Sequence, residues 1–262
     1  MKRALRTAGK TAAFSLQDRQ EPLAAASLYR LVALGFAYPD RMQIDAMGAA
    51  IVGVLGAAGA IGSPPFAPTL RALLRAWRMI TPQSLAAEYS RLFLGAGLVP
   101  LREGGYGDGL RFAGQPFDIA DLNGFYLAFG FELAQAAPSP PDHLGTEIEF
   151  VSLLHLKKAV ALRKGQLRNV AIVDQAMARF LEDHPGRWTA ALEAALREAN
   201  AAAPYALLAT LLRKAIAADC ARLGVKPRPA RRGTARDPLE GDRFVCPLAA
   251  PNPAEEPAGV AA

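Results

Sequence analysis

The fold is predicted from three stretches of the sequence, Glu88-Tyr-Ser-Arg-Leu-Phe-Leu-Gly95, Asp118-Ile-Ala-Asp-Leu-Asn-Gly-Phe-Tyr-Leu-Ala-Phe-Gly130 and Pro140-Pro-Asp-His-Leu-Gly-Thr-Glu-Ile-Glu-Phe150. In the first two, apolar residues recur three and four positions apart, the spacing that places them on one face of an α-helix. The third opens with two prolines, which lack an amide donor and cannot sit inside a helix. Asp142 follows them, and its carboxylate can cap the helix amides that come next. We therefore predict two core helices and a loop-to-helix corner at Pro141, Asp142 and His143.

The same helical spacing continues through the rest of the chain, from a first-turn proline at Pro22 to Gly224. Helix starts are indicated near Asp40, at Thr81-Pro82 and at Asp118. No stretch alternates apolar and polar residues over the length of a strand. The sequence thus predicts an all-α fold, a single globular bundle of about nine helices over residues 22–224. The sixth helix, from about Asp142 to Lys164, is apolar nearly all round and should be the most buried.

Three segments are predicted to lie outside the helices. Residues 1–21 form a polar leader, and residues 96–116 form a long Gly-rich loop of a length that usually signals function or a hinge. Residues 225–262 contain seven prolines, a basic cluster and the apolar patch Phe244-Val-Cys-Pro-Leu248, a composition typical of a disordered tail. We hypothesise that this patch folds back into the acidic part of the protein.

Composition excludes several classes of protein. A chain of 262 residues can bury a large core without disulfides, and its two cysteines, Cys220 and Cys246, suit a reducing compartment, so we predict a cytoplasmic protein. The basic N-terminus is not followed by the apolar segment of a secretory signal. The uncharged stretch 46–70 is too rich in Ala and Gly for a membrane span, so no stable membrane insertion is expected.

Charge is distributed unevenly along the chain. The formal net charge is +6, yet the segment from Glu103 to Glu149 holds eight acidic residues and a single basic one, Arg111. Acidic surfaces attract cationic ligands, so this segment predicts a cationic partner and no nucleic acid. The alternative is that these acids form an ordinary solvated helix face.

No constellation of residues indicates catalysis. The three histidines, His143, His155 and His184, are too scattered for a zinc site, and no Glu-x-x-His motif of a di-iron bundle is present. His143 and Glu147 share a helix spacing, but two ligands make a weak metal site. His155 is predicted to be a satisfied core histidine. We expect a binding protein with neither metal nor cofactor. The alternatives are a general helical adaptor or scaffold and a metal-binding helical enzyme.

Several short motifs, taken in order over about residues 22–222, resemble the TorD/DmsD/NarJ family of assembly chaperones for molybdenum-containing oxidoreductases. They are Glu88–Gly95, the Pro100–Tyr106 loop, Phe125-Tyr126 ahead of Gly130, Pro141-Asp142-His143-Leu144 with Glu147 to Phe150, and Phe180-Leu181-x-x-His184 with Trp188. The resemblance implies an all-helical cytoplasmic protein. Such a protein binds the twin-arginine signal peptide and the catalytic subunit of one molybdoenzyme, holding it until the molybdenum cofactor is inserted.

The resemblance also implies that Pro141, Asp142 and His143 contact the signal peptide, although the chain has Ser139-Pro140 where the family often has an acidic residue. A twin-arginine peptide carries two guanidinium groups followed by an apolar run. Independently of the family, carboxylates could bind the guanidiniums and aromatic rings could wall the apolar run. The candidates are Asp118, Asp121, Asp142 and Glu147, with Tyr89, Phe93, Phe125 and Tyr126. Ordinary core packing is the alternative for the aromatics, and the chain could be a monomer or a helix-swapped dimer.

Overall fold

The computed structural model describes residues 16–60, 66–95, 97–106, 115–133 and 139–230. The described chain forms α-helices and one short 3₁₀ helix, Glu103–Gly105, with no β-strand in those ranges. The helices are α1 (Leu16–Gly35), α2 (Arg41–Ala57), α3 (Ala67–Met79), α4 (Pro82–Phe93), α5 (Gln115–Ala128), α6 (Leu144–Arg163), α7 (Leu167–Asp183), α8 (Pro185–Glu198) and α9 (Ala203–Leu223). The predicted all-α bundle is confirmed. The leader up to residue 15, residues 96 and 107–114 of the Gly-rich loop and the tail from residue 231 lie outside the described residues.

Helix boundaries follow the capping chemistry in some places and depart from it in others. Asp40 caps α2 by accepting the amide of Gln43, and Thr81 caps α4 by accepting that of Ser84, as predicted. The predicted start at Pro22 is wrong, because α1 begins at Leu16. A proline removes one backbone donor but does not stop a helix from extending ahead of it. The predicted start at Asp118 is also wrong, because α5 begins at Gln115 and leaves Asp118 in its first turn.

The centre of the bundle is the pairing of α1 with α6. Three consecutive alanines of α1, residues 24–26, are buried and let the two helix backbones approach closely. The hydroxyl of Ser152 donates to the carbonyl of Ala26 at 2.9 Å across this contact. Buried residues occur on most sides of α6, which confirms its predicted central position with one exception, described below.

A buried polar network ties α9 to this centre. Asp219 accepts the hydroxyl of Tyr29 at 2.7 Å, contacts Nε2 of His155 at 2.9 Å and pairs with Arg222 at 2.8 Å. His155 is 3% exposed and stacks on the ring of Tyr29, so the prediction of a satisfied core histidine is confirmed at Nε2. Burial acts to raise the pKa of Asp219, but His155, Arg222 and Tyr29 together hold it well below its ordinary value. In the part of the chain that the structure describes, no helix has the length and apolar composition of a membrane span.

Candidate functional site

The predicted corner is joined to the Gly-rich loop by backbone hydrogen bonds. The amide of Glu103 donates to the carbonyl of Asp142 at 2.9 Å, and the amide of Leu144 donates to that of Leu101 at 2.8 Å. These bonds make an isolated antiparallel bridge between Arg102 and His143. The described part of the loop is therefore fixed to the start of α6.

Asp142 lies under this bridge, with its carboxylate already occupied. It is 4% exposed and accepts Nε of Arg102 at 3.0 and 3.2 Å, while a terminal nitrogen of the same guanidinium lies 2.9 Å away. The side chain of Arg102 is 53% exposed. The corner thus holds a guanidinium–carboxylate pair whose cationic half faces solvent.

His143, and not Asp142, caps α6, so that part of the sequence prediction is wrong. Nδ1 of His143 accepts the amide of Gly145 at 3.1 Å. The reason is that Arg102 binds the Asp142 carboxylate and leaves the cap to the next residue. Burial lowers the pKa of His143 and the charge of Arg102 adds to this, against the opposing effect of Asp142. A neutral imidazole is what an accepting Nδ1 requires.

Pro141 connects the corner to α5. Its carbonyl accepts the hydroxyl of Tyr126 at 2.8 Å. The preceding carbonyl, of Pro140, accepts the amide of His143 at 3.0 Å and the hydroxyl of Thr146 at 3.2 Å. A change in the corner would therefore be felt at α5.

Glu147 lies inside the protein and not on its surface. It has no exposed surface, and one carboxylate oxygen accepts the indole N–H of Trp188 at 3.2 Å. The other oxygen has no hydrogen-bond partner among the described residues. Burial raises the pKa of Glu147 well above its ordinary value, and the nearby Glu103 and Asp142 add to the shift while Trp188 opposes it. This carboxyl is an internal proton-holding group rather than a surface ligand.

Replacing Glu147 with glutamine is expected to make the fold less sensitive to alkali. An acid whose pKa is raised on folding destabilises the native state once the pH passes its unfolded value, 4.5, and increasingly up to the folded pKa. Glutamine keeps an acceptor for Trp188 and cannot ionise. Urea unfolding between pH 6 and 9 should show a smaller loss of stability for Glu147→Gln than for the wild type. An identical slope in both proteins would contradict the internal acid.

His184 was not among the predicted binding residues, yet it joins three parts of this region. Its Nδ1 lies 3.0 Å from Glu103 and its Nε2 lies 3.3 Å from Asp121. Burial acts to lower the pKa of His184, but the two carboxylates raise it overall. The sequence signal for it was its place in the Phe180-Leu181-x-x-His184 motif.

Asp118 and Asp121 are the predicted carboxylates that solvent reaches most easily. Asp118 is partly exposed in the first turn of α5, and the side chain of Asp121 is 59% exposed despite its contact with His184. Asp118, in the first turn, also faces the positive end of the helix dipole, whereas Asp121 lies in the second turn. Together they place negative charge at the start of α5.

The four predicted aromatic residues lie in two separate groups. Phe125 and Tyr126 pack with Phe150 and Phe180 between α5, α6 and α7. Tyr89 contacts Phe93 at a ring distance of 5.0 Å, and both pack on Tyr205 of α9. Tyr89 and Tyr126 are buried, whereas Phe93 and Phe125 are partly exposed. The described ring contacts do not bring the two groups into one site.

An open apolar groove lies between α6 and α7, where α5 stops covering them. Its volume is about 530 Å³. Leu156 and Val160 of α6 are 41% and 42% exposed, and Ile172 of α7 is 48% exposed. Other residues that line it include Ala128, Phe129, Leu153, Lys157, Asn169 and Val173. The sequence predicted this side of α6 to be buried, and the structure corrects that expectation because α5 ends at Ala128.

Comparison with known proteins finds one matching family and two similar proteins. Residues 63–194 match the family model described as nitrate reductase delta subunit. The chain is 32% identical over 148 residues to the selenate reductase assembly chaperone protein of Thauera selenatis, covering 55% of this chain and 73% of that protein. It is 29% identical over 166 residues to the chlorate reductase assembly chaperone protein of Ideonella dechloratans, covering 60% and 84%.

A solved structure is also similar. It comes from Archaeoglobus fulgidus and is described as a redox enzyme maturation protein. The match has 19% sequence identity and a TM-score of 0.39, and it covers 72% of this chain and 91% of the other.

Proposed function

Because the chain belongs to the nitrate reductase delta subunit family, we propose that it is the assembly chaperone of one molybdenum-cofactor oxidoreductase. It binds the twin-arginine leader and the catalytic subunit of that client in the cytoplasm. It holds them until the cofactor is inserted and then allows export or membrane assembly. The names of both relatives describe assembly chaperones and not catalysts, which agrees with the predicted absence of enzymatic activity. The chain acts as a monomer or as a dimer that exchanges helices through its Gly-rich loop.

The observation that carries the leader-binding part of the proposal is the surface along α5, which we name the α5 path. It runs from Asp118 and Asp121 to the groove beyond Ala128. With a rise of 1.5 Å per residue, the step from Asp121 to Phe129 is about 12 Å. Two carboxylates therefore lie about two helical turns from an apolar groove. A twin-arginine leader has matching features in the same order, two guanidinium groups followed by an apolar run.

The arginine half of the leader binds at the acidic end of the path. Asp121 is exposed and Asp118 is partly exposed, and charge-assisted hydrogen bonds from guanidinium to carboxylate are among the stronger protein contacts. Asp142 binds a guanidinium of the leader in place of the guanidinium of Arg102. The exchange is possible because the Arg102 side chain is half exposed. His143 and Pro141 hold the corner in place through the cap on α6 and the bond from Tyr126.

The apolar half of the leader lies in the groove between α6 and α7. Side chains at spacing four on α6, Leu156 and Val160, face Ile172 across it. An apolar helix laid in a groove of this kind buries its own exposed side chains together with those of the groove. Phe125 packs on Phe180 beside the path, and Tyr126 is buried next to it against Phe150. Tyr89 and Phe93 pack with Tyr205 of α9, in the separate group.

Variants of the corner test the exchange at Asp142. Asp142→Ala is expected to weaken binding of a synthetic leader peptide that has an Arg-Arg pair and an apolar run by about tenfold, the loss of one charge-assisted contact. His143→Ala should weaken it as well, because the cap that holds the corner in place is lost. Arg102→Ala should tighten it, because the carboxylate is then free for the peptide. Titration calorimetry measures the affinities, and circular dichroism confirms that each variant remains helical.

The same titration separates the chaperone from the general adaptor. A peptide with Ala-Ala in place of Arg-Arg should bind much more weakly to the wild type. Equal binding of the two peptides, or unaltered affinity in both corner variants, would count against leader recognition. Recovery of a molybdoenzyme precursor with the tagged protein from its own host would identify the client.

A further inference from the structure

The last described residues of the chain lie against the α7–α8 junction. Gly224 ends α9 in the left-handed conformation with φ of 72°, and the amide of Val225 returns to the carbonyl of Cys220 at 3.0 Å. The chain then crosses the junction, where the amide of Ala230 donates to the carbonyl of Arg187 at 2.8 Å. Val225 and Ala230 both pack on the core.

The junction is shaped to receive this segment. A Cβ on Gly186 would lie 2.6 Å from the ring of Pro227 and closer still to the carbonyl oxygen of Leu181. Only glycine fits between them without a shift of the backbone. The position of Ala230, the last described residue, is therefore fixed by its contacts with the protein.

This position is linked to the acidic end of the α5 path by a short series of contacts. Arg187, which holds Ala230, donates its own amide to the carbonyl of His184 at 3.0 Å. His184 in turn contacts Asp121. The next two residues in the sequence are Arg231 and Arg232. The arginine pair thus directly follows, in the sequence, a residue that is two backbone hydrogen bonds from His184, the residue that contacts Asp121.

We propose that residues 231–248 of this chain occupy the α5 path when no leader is bound, with Arg231-Arg232 at Asp118 and Asp121 and Phe244–Leu248 in the groove. The proposal rests on the proposed function, since the tail and the leader share one surface. The tail has the chemistry of the leader in the same order, a pair of arginines followed by an apolar segment. Charge complementarity and the anchored exit at Ala230 select this occupant over an unrelated protein.

The length of the tail fits both contacts at once. Eleven residues, 233–243, separate the arginine pair from Phe244. Fully extended they span about 36 to 40 Å, and as a random coil about 18 Å on average. Either length exceeds the 12 Å or so along α5 from Asp121 to the groove. Tethering gives the tail an effective concentration on the order of millimolar, so weak contacts are enough for it to compete with a leader.

The test uses the full-length protein in which the charge of both arginines, Arg231 and Arg232, is reversed. Arg231→Glu together with Arg232→Glu is expected to tighten binding of the Arg-Arg leader peptide by about three- to tenfold, because a competing ligand in the millimolar range is lost. Phe244→Asp should act in the same direction through the groove. The matched control is Lys226→Glu with Arg228→Glu, which makes the same charge change in exposed residues ahead of the exit and should leave the affinity unaltered.

A second measurement tests binding of the tail independently of binding of the leader. A synthetic peptide of residues 228–250 is titrated into the charge-reversed protein and should bind, and excess leader peptide should displace it. If the leader binds all four proteins equally, the tail proposal is overturned and the proposed function stands. If none of the four proteins binds the leader, the proposed function fails. The titration with the 228–250 peptide then tests the tail proposal by itself: binding supports it, and no binding overturns it.

Discussion

Replacing Asp219 with alanine is expected to lower the free energy of unfolding by about 3 to 5 kcal/mol, the loss that follows when one partner of a buried charged network is removed. Asp219 is 7% exposed and is the common acceptor of Tyr29, His155 and Arg222. Without it the hydroxyl of Tyr29 and Nε2 of His155 lose this hydrogen-bond partner inside the core, where leaving a polar group unpaired is costly. Urea unfolding followed by circular dichroism measures the loss.

Asp174→Ala is the matched control for this variant. Asp174 also pairs with Arg222, at 3.1 Å, and with Lys158, at 2.8 Å, but its side chain is 29% exposed. Solvent screens such pairs, so the expected loss is at most about 1 kcal/mol. Equal losses of unfolding free energy in the two variants would show that burial does not determine how much the Asp219 network contributes to stability.

Asp219→Ala should also make the stability of the fold less sensitive to acid. The pKa of Asp219 is lower in the native state than its ordinary value of 3.8, so its stabilisation is fully present above that pH and is lost as the pH falls below it. The stability of the wild type should therefore decline more steeply below about pH 4 than that of Asp219→Ala.

Placing a charge in the α6–α7 groove should have the largest effect on leader binding. Ile172→Asp is expected to weaken binding of the Arg-Arg leader peptide by about 10- to 100-fold, since an aspartate would have to be covered by the apolar run of the peptide. Titration calorimetry gives the affinity. Because Ile172 is already 48% exposed, the variant should fold normally.

The control for the groove is Val52→Asp. Val52 is also a β-branched residue within a helix, it is 50% exposed, and it lies on α2 and not in the groove. The two variants make the same change in charge and exposure, so a loss of affinity in both would point to net charge and not to the groove. Full affinity in Ile172→Asp would mean that the apolar run binds elsewhere.

Helix content and several boundaries could be predicted because they depend on neighbours close in sequence. The caps at Asp40 and Thr81 are made with residues three positions ahead, and the apolar spacing of α4 and α7 directly gives the faces they bury. The cap on α6 failed for the opposite reason. Asp142 had the right chemistry and position, but Arg102, forty residues earlier, holds its carboxylate.

An all-α fold, the acidic segment in a basic chain and the family could thus be predicted from the residues alone. Only the packing of distant segments determines which acidic side chains are exposed. Glu147 is buried against Trp188, whereas Asp121 is exposed beside His184. The same packing also determines that one side of α6 is an open groove, because α5 ends before covering it. The physical reason is that helix formation is governed by local hydrogen bonds and spacing. The exposure and charge of a side chain depend on whatever distant part of the chain packs against it.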